Sequence, residues 1–101
     1  MKDTKYLEDL LLELKVTMIK KNQDYGPYNI SHAPGGAMNG LLVRIHDKVE
    51  RLQHLHFNRS NTPNYESIDD NFKDLANYAI IGIMVQRGMW EGTDGRRGVH
   101  N

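Results

Sequence analysis

Three acidic residues, Glu66, Asp70 and Asp74, follow one another at four-residue steps. The apolar residues around them recur at the spacing of an α-helix: Ile68, Phe72, Leu75 and Ala79. On a helix the three carboxylates would lie along one edge, where like charges four residues apart cost a few tenths of a kcal/mol per pair. Because hard divalent cations prefer oxygen ligands, this pattern favours a metal site.

A second pair of acids, Asp47 and Glu50, lies about twenty residues upstream, with a spacing that puts both on one helical face. Two helices that each present carboxylates can clasp one hard cation between them. The sequence therefore predicts a site for Mg²⁺, or Mn²⁺, with these ligands: Asp47, Glu50, Glu66, Asp70 and Asp74.

Ordinary surface roles compete with this interpretation. Ser67 and Asp70 can form a capping box at a helix start, and Asp69 can pair with Lys73 four residues later. Asp47 can likewise pair with Arg51 in the same helix, an interaction that contributes little. Asp74 fits a surface role poorly, because it lies two turns into its helix, next to the most apolar stretch of the chain.

Two groups of residues have the chemistry of nucleotide binding. Three basic residues alternate with the acids of the second helix, and their side chains can bind phosphate oxygens: Arg44, Lys48 and Arg51. A second group combines an ammonium group, an amide, a carboxylate and two flat rings, as gripping a nucleobase or ribose requires: Lys21, Asn22, Asp24, Tyr25 and Tyr28. The alternative is a basic helix end followed by a glycine turn. The five histidines show no metal-binding spacing and are interpreted as structural or partly exposed.

Hydrophobic periodicity predicts an all-α protein with three main helices over residues 4–21, 41–57 and 65–87. Residues 22–40 contain three clusters of helix breakers, so we expect a long ordered loop there, or a loop with one short turn. The buried stripe of the second helix is predicted to comprise Leu42, Ile45, Val49, Leu52 and His56. The second half of the third helix is apolar nearly all round, which predicts a subunit interface and a homodimer or homotetramer.

The composition of the chain limits its possible partners, sites and location. The chain of 101 residues has 13 basic and 13 acidic side chains and no cysteine. The balanced charge disfavours long nucleic acid as a partner, and the lack of cysteine excludes disulfides and thiolate sites. No stretch looks like a signal peptide or a membrane span, so a cytoplasmic location is expected, or the host cytoplasm if the protein is phage-encoded. We expect one helical domain over residues 1–90 and a flexible tail over 91–101.

Three sequence elements resemble the nucleotide modification associated domain 1 family of small phage and bacterial helical proteins. These are Lys-Asn-x-Asp-Tyr-Gly at 21–26, Arg-x-x-Asp-Lys-x-x-Arg at 44–51, and Glu-Ser-Ile-x-Asp-x-x-x-Asp-Leu-Ala-x-Tyr at 66–78. The resemblance covers most of residues 10–90. It implies a part in nucleotide metabolism and names no particular reaction.

The chain is also distantly similar to the all-α nucleoside triphosphate pyrophosphohydrolases typified by MazG and dimeric dUTPases, whose helical bundle is completed by oligomerisation. That similarity implies magnesium-dependent cleavage of a nucleoside triphosphate to a monophosphate and pyrophosphate, with Glu50 as the residue that activates water. The acids here are fewer and differently spaced, which leaves catalysis open. Two alternatives remain: a non-catalytic nucleotide sensor or sequestering protein, and a structural module for helical oligomerisation.

Overall fold

The computed structural model describes residues 1–58 and 65–93, and the side chains of Tyr65 and Glu66 are outside that description. Four helices follow in order: α1 (Lys5–Tyr25), α2 (Tyr28–Ser31), α3 (Ala37–Phe57) and α4 (Tyr65–Gln86). The predicted all-α class with three main helices is confirmed. The short α2 lies inside the predicted loop, as its single turn.

Two of the long helices exceed their predicted lengths. α1 runs one turn beyond Lys21, to Tyr25, and ends at Gly26, whose φ of 72° favours glycine. The Gly26 N–H donates to the Asn22 carbonyl over 2.7 Å and so satisfies part of the helix end. α3 begins four residues before Leu41, at Ala37. The element at 21–26 therefore forms the last turn of a helix and not a loop.

The core lies where α2 and the turn after α4 cover the contact between α3 and α4. Its buried members are Ile30, Leu41, Ile81, Val85 and Trp90. The Trp90 indole N–H donates to the Pro27 carbonyl over 3.0 Å and holds that turn against the start of α2. Gly40 permits the close approach on the other side, since a Cβ there would lie 2.5 Å from the Ala33 Cβ.

The predicted buried stripe of α3 was wrong in part. Leu42, Val49 and His56 are exposed, whereas Leu41 is fully buried. The stripe that faces α4 includes Lys48, which is half-buried because it pairs with an acid of α4. Because Lys48 is charged, the residues of α3 that face α4 do not form a purely apolar pattern in the sequence.

α1 is joined to α4 over only part of its length. The Asn77 side-chain amide of α4 donates to the Leu14 carbonyl over 3.2 Å, and Lys73 forms an ion pair with Glu13. Leu14 is the buried residue of α1. The first two turns of the helix thus extend past this contact with their leucines exposed.

Within residues 1–58 and 65–93, every helix is too short or too polar to cross a bilayer.

Adjacent leucines on α3 provide a test of this core. We expect Leu41→Ala to lower the free energy of unfolding by about 2–5 kcal/mol, because it leaves a cavity between α3 and α4. Leu42→Ala is the matched control, since Leu42 is 58% exposed and Leu41 0%; its loss should stay near 0.5 kcal/mol. Denaturant unfolding followed by circular dichroism measures both, and equal losses would contradict the core described here.

Candidate functional site

Asp74 joins three helices through its two carboxylate oxygens. Lys21 of α1 lies 2.9 Å from Oδ1, and Lys48 of α3 lies 2.7 Å from Oδ2. The side chains of Asp74 and Lys48 are only 21% and 19% exposed to solvent, whereas the side chain of Lys21 is 51% exposed. Two ammonium groups from different helices therefore converge on one half-buried carboxylate.

Hydrogen bonding within this cluster favours the charged forms of Asp74 and Lys21. Partial burial alone would raise the pKa of the Asp74 carboxyl, but hydrogen bonds from Lys48 and Lys21 outweigh it and hold that pKa below its usual value. The hydrogen bond to Asp74 also raises the pKa of Lys21 against the opposing effect of burial. The site therefore holds two positive charges and one negative charge.

A cleft of about 370 Å³ opens beside this cluster. One wall comes from the last two turns of α1, where Met18, Lys21, Asn22 and Tyr25 share a face because they are spaced three and four residues apart. The other wall comes from α3, α4, the α1–α2 connection and the turn after α4. Its lining residues are Gly26, Asn29, Ile30, Lys48, Asp74, Asn77, Tyr78, Ile81 and Trp90.

The cleft is polar at one end and apolar at the other. Its apolar surface belongs to the core residues Ile30, Ile81 and Trp90 together with Met18. Asn77 adds one polar atom there: its amide nitrogen donates to Leu14, and its Oδ1 is buried without a hydrogen-bond partner among the described residues. A buried acceptor in that state costs free energy.

Four of the predicted substrate-binding residues line the cleft: Lys21, Asn22, Tyr25 and Lys48. The structure places the other four elsewhere. Arg44 donates to the Asn29 carbonyl over 3.2 Å, and Tyr28 stacks on His32 with its hydroxyl near Glu91. Asp24 and Arg51 are exposed and are not part of the lining. Arg44 thus supports the chain beside the cleft and does not enter it.

The five predicted metal ligands do not come together in the described part of the chain. Asp74 binds the two lysines, Asp47, Glu50 and Asp70 are exposed, and the Glu66 side chain lies outside the described residues. Glu50 follows Leu41 by nine residues, about two and a half turns, and so points away from the core. Among the side chains described, no three acids or histidines converge to hold a metal. The described residues therefore do not fit a magnesium site, and its ligand set and the role of Glu50 stay predictions.

Several lining residues were missed from the sequence: Met18, Asn77, Tyr78 and Trp90. Asn77 offered a signal, because it is a polar residue within an apolar helical run, where a buried amide needs partners. Trp90 offered none, since its position depends on a turn that folds back over α2.

Comparison with known proteins identifies the family of this chain. The sequence profile of the nucleotide modification associated domain 1 family matches residues 21–85, well over half of the chain. The chain belongs to this family. The segment that matches the nucleotide modification associated domain 1 profile begins at Lys21 and also contains Lys48 and Asp74. It therefore includes all three residues of the ionic cluster. A search of curated proteins and a search of solved structures each gave no match. The more distant similarity to MazG-like enzymes stays a prediction.

The ionic cluster predicts a pH dependence of stability. The pKa of Asp74 is lowered on folding, so its contribution is present above its ordinary value of 3.8 and is lost as the pH falls through the folded value. We expect Asp74→Asn to cost about 1 kcal/mol near neutral pH, because Lys21 and Lys48 then face each other without a counter-charge.

The two proteins should converge in stability as the pH falls from 3.8 through the lower pKa of folded Asp74, since protonated Asp74 resembles asparagine. Asp9→Asn is the control, because it removes an exposed pair with Lys5 within one helix. Urea unfolding at several pH values measures all three proteins. A difference that persists unchanged at acid pH would refute the role of the charge.

Proposed function

We propose that the cleft binds a nucleotide, with its phosphate oxygens at Lys21 and Lys48 and its base at the apolar end. One observation carries this proposal. Two ammonium groups from separate helices meet beside a cleft whose other surface is apolar and aromatic. A nucleotide carries both an anionic phosphate and a flat base, and so matches both surfaces.

Charge supports the phosphate end. The chain is neutral overall, yet Lys21, Lys48 and Asp74 together leave one positive charge beside the cleft. Asp74 orients both ammonium groups before a ligand arrives, which lowers the entropy lost on binding. Phosphate oxygens can accept the lysine protons that do not point at Asp74, since each ammonium group has three.

The composition of the inner end supports a base. Trp90 has its indole N–H occupied by Pro27 and contributes its ring to the cleft, and Tyr78 adds a second aromatic surface. Ring surfaces stack on any nucleobase, at about 1–3 kcal/mol per base.

Magnesium-dependent pyrophosphohydrolysis is the second candidate for the same cleft. It is favoured by the position of Asp74 beside the cleft and by Asp70 and Glu66, which precede it at four-residue steps on α4. Among the residues that the structure describes, the acids do not fit a metal site. A binder that senses or sequesters nucleotides needs only the lysines and the apolar end.

The lysines give the first test of binding. We expect Lys21→Gln and Lys48→Gln each to raise the Kd for nucleotides at least about tenfold, because a charge-assisted hydrogen bond is lost. Lys20→Gln is the matched control, since Lys20 is exposed and is not part of the lining; its change should stay within about twofold.

Trp90 reports binding directly, because it is the only tryptophan and lines the cleft. Fluorescence titration with nucleoside mono-, di- and triphosphates, in the absence of a divalent cation, gives the Kd values. The matching nucleosides should bind more weakly, since they lack the phosphate. No response to any nucleotide at millimolar concentration, or an equal loss in Lys20→Gln, would overturn the proposal.

Catalysis has its own readout. The second candidate predicts pyrophosphate release from deoxynucleoside triphosphates with Mg²⁺, abolished by Asp70→Ala and by Asp74→Asn. Asp69→Ala is the control, because Asp69 pairs with Lys73 outside the cleft, and it should keep full activity. Release that persists in Asp70→Ala would eliminate the predicted metal role, and binding without release would leave the protein a nucleotide binder.

A further inference from the structure

Three side chains set the charge of the cleft. Among the described residues that line it, the charged ones are Lys21, Lys48 and Asp74, which leave one net positive charge. Each ammonium nitrogen lies within 2.9 Å of an Asp74 oxygen. A phosphate oxygen that accepts a hydrogen bond from the same nitrogen, over about 2.8 Å, therefore lies no more than about 6 Å from that carboxylate oxygen. An anion bound here is attracted by two charges and repelled by a third.

One phosphate group is enough to neutralise this site. A phosphate monoester carries a charge of about −1.5 to −2 at pH 7, which exceeds the single net positive charge of the lining. A second phosphate inside the cleft would add negative charge close to Asp74, with no further cation to meet it among the lining residues that the structure describes. Like charges at such distances repel, and more strongly where the groups are partly shielded from water. The charge of the cleft thus favours one phosphate over two or three.

Exposed charges on the same turns of α1 and α3 are balanced and offer little to a phosphate outside the cleft. On α1, Lys20 precedes Asp24 by four residues, and on α3, Asp47 precedes Arg51 by four residues. All four side chains are exposed. Residues at this spacing are neighbours on a helix surface, so each of these bases has an acid beside it. The outer phosphates of a longer chain therefore find no net positive charge on these turns.

The volume of the cleft agrees with a short ligand. Small-molecule sites in proteins span about 300–1,000 Å³, and the cleft, at about 370 Å³, is near the lower end of that range. A base at the apolar end and its sugar occupy part of this volume before any phosphate is counted. A diphosphate or triphosphate chain must then extend into solvent, past the carboxylate of Asp74.

We infer that Asp74 determines the specificity of the cleft: its charge selects nucleoside monophosphates over the corresponding diphosphates and triphosphates. The carboxylate holds both lysines in place for one phosphate and repels the next. This inference rests on the proposed function, since it specifies which nucleotides the same cleft takes.

Isothermal titration calorimetry in the presence of EDTA tests this order with the mono-, di- and triphosphate of one nucleoside, repeated for each base. EDTA removes divalent cations, which would otherwise neutralise the longer phosphate chains. The monophosphate should bind tightest. The Kd values of the diphosphate and triphosphate should be at least about threefold higher, because each added phosphate is repelled by Asp74 and gains no cation.

Substitutions of Asp74 test its role directly. Asp74→Asn gives the lining two net positive charges, so the ratio of the triphosphate Kd to the monophosphate Kd should fall at least about fivefold. This ratio is measured because loss of the carboxylate also releases Lys21 and Lys48, which affects all three nucleotides. Asp74→Glu keeps the charge and should keep the wild-type order.

Asp69→Asn is the matched control, since Asp69 is an exposed acid of the same helix that lies outside the cleft lining; its Kd ratio should change less than about twofold. Circular dichroism verifies that each variant is folded, and the wild-type order decides by itself if Asp74→Asn is not.

The possible results separate this inference from the proposed function. If the wild-type chain binds no nucleotide, both fail. If nucleotides bind but the triphosphate binds as tightly as the monophosphate or more tightly, the proposed function stands and only this inference is overturned. A shift of the ratio in Asp69→Asn as large as that in Asp74→Asn would overturn it in the same way.

Discussion

The ion pairs of Asp74 are the interaction on which the arrangement of this protein depends. They connect Lys21 of α1 and Lys48 of α3 to α4, so that three helices meet at one carboxylate. Elsewhere α1 has a single buried residue, Leu14. Because an ion pair has its own geometry, this contact sets where the end of α1 sits, and with it one wall of the cleft. The same charges that position the helix thus define the site.

The all-α class and the order of the long helices could be predicted from the sequence, because apolar spacing reports which residues share a helix face. The ends of the helices were harder to predict from the sequence. The helix breakers at 26–27 and 34–36 do interrupt the helices. However, α1 extends as far as Tyr25 and α3 begins at Ala37, directly beside the breakers. The error mattered, since it assigned Asn22 and Tyr25 to a loop, apart from the helical face that they share with Lys21.

The site was predictable in its chemistry and less so in its geometry. Lys21, Lys48 and Tyr25 were chosen for their functional groups and do line the cleft. Asp74 was correctly singled out as a charge that needs a counter-charge, yet in the structure two lysines supply it where a metal was expected. Carboxylate spacing along one helix cannot tell these partners apart, because the partner is chosen by packing between helices. Trp90 depends on a chain reversal that no local pattern encodes.

The partial attachment of α1 has a consequence for motion. Polar contacts, the buried Leu14 and the partly buried Met18 hold its middle and end, while the buried members of the core come from α2, α3, α4 and the turn after α4. Regions with few buried apolar contacts open at a fraction of the global unfolding free energy. Among the three long helices we therefore expect α1 to detach first, with amide protons that exchange faster than those of α3 or α4. A molecule that bridges Lys21 to Lys48 slows that exchange by tethering the loose helix to the rigid pair.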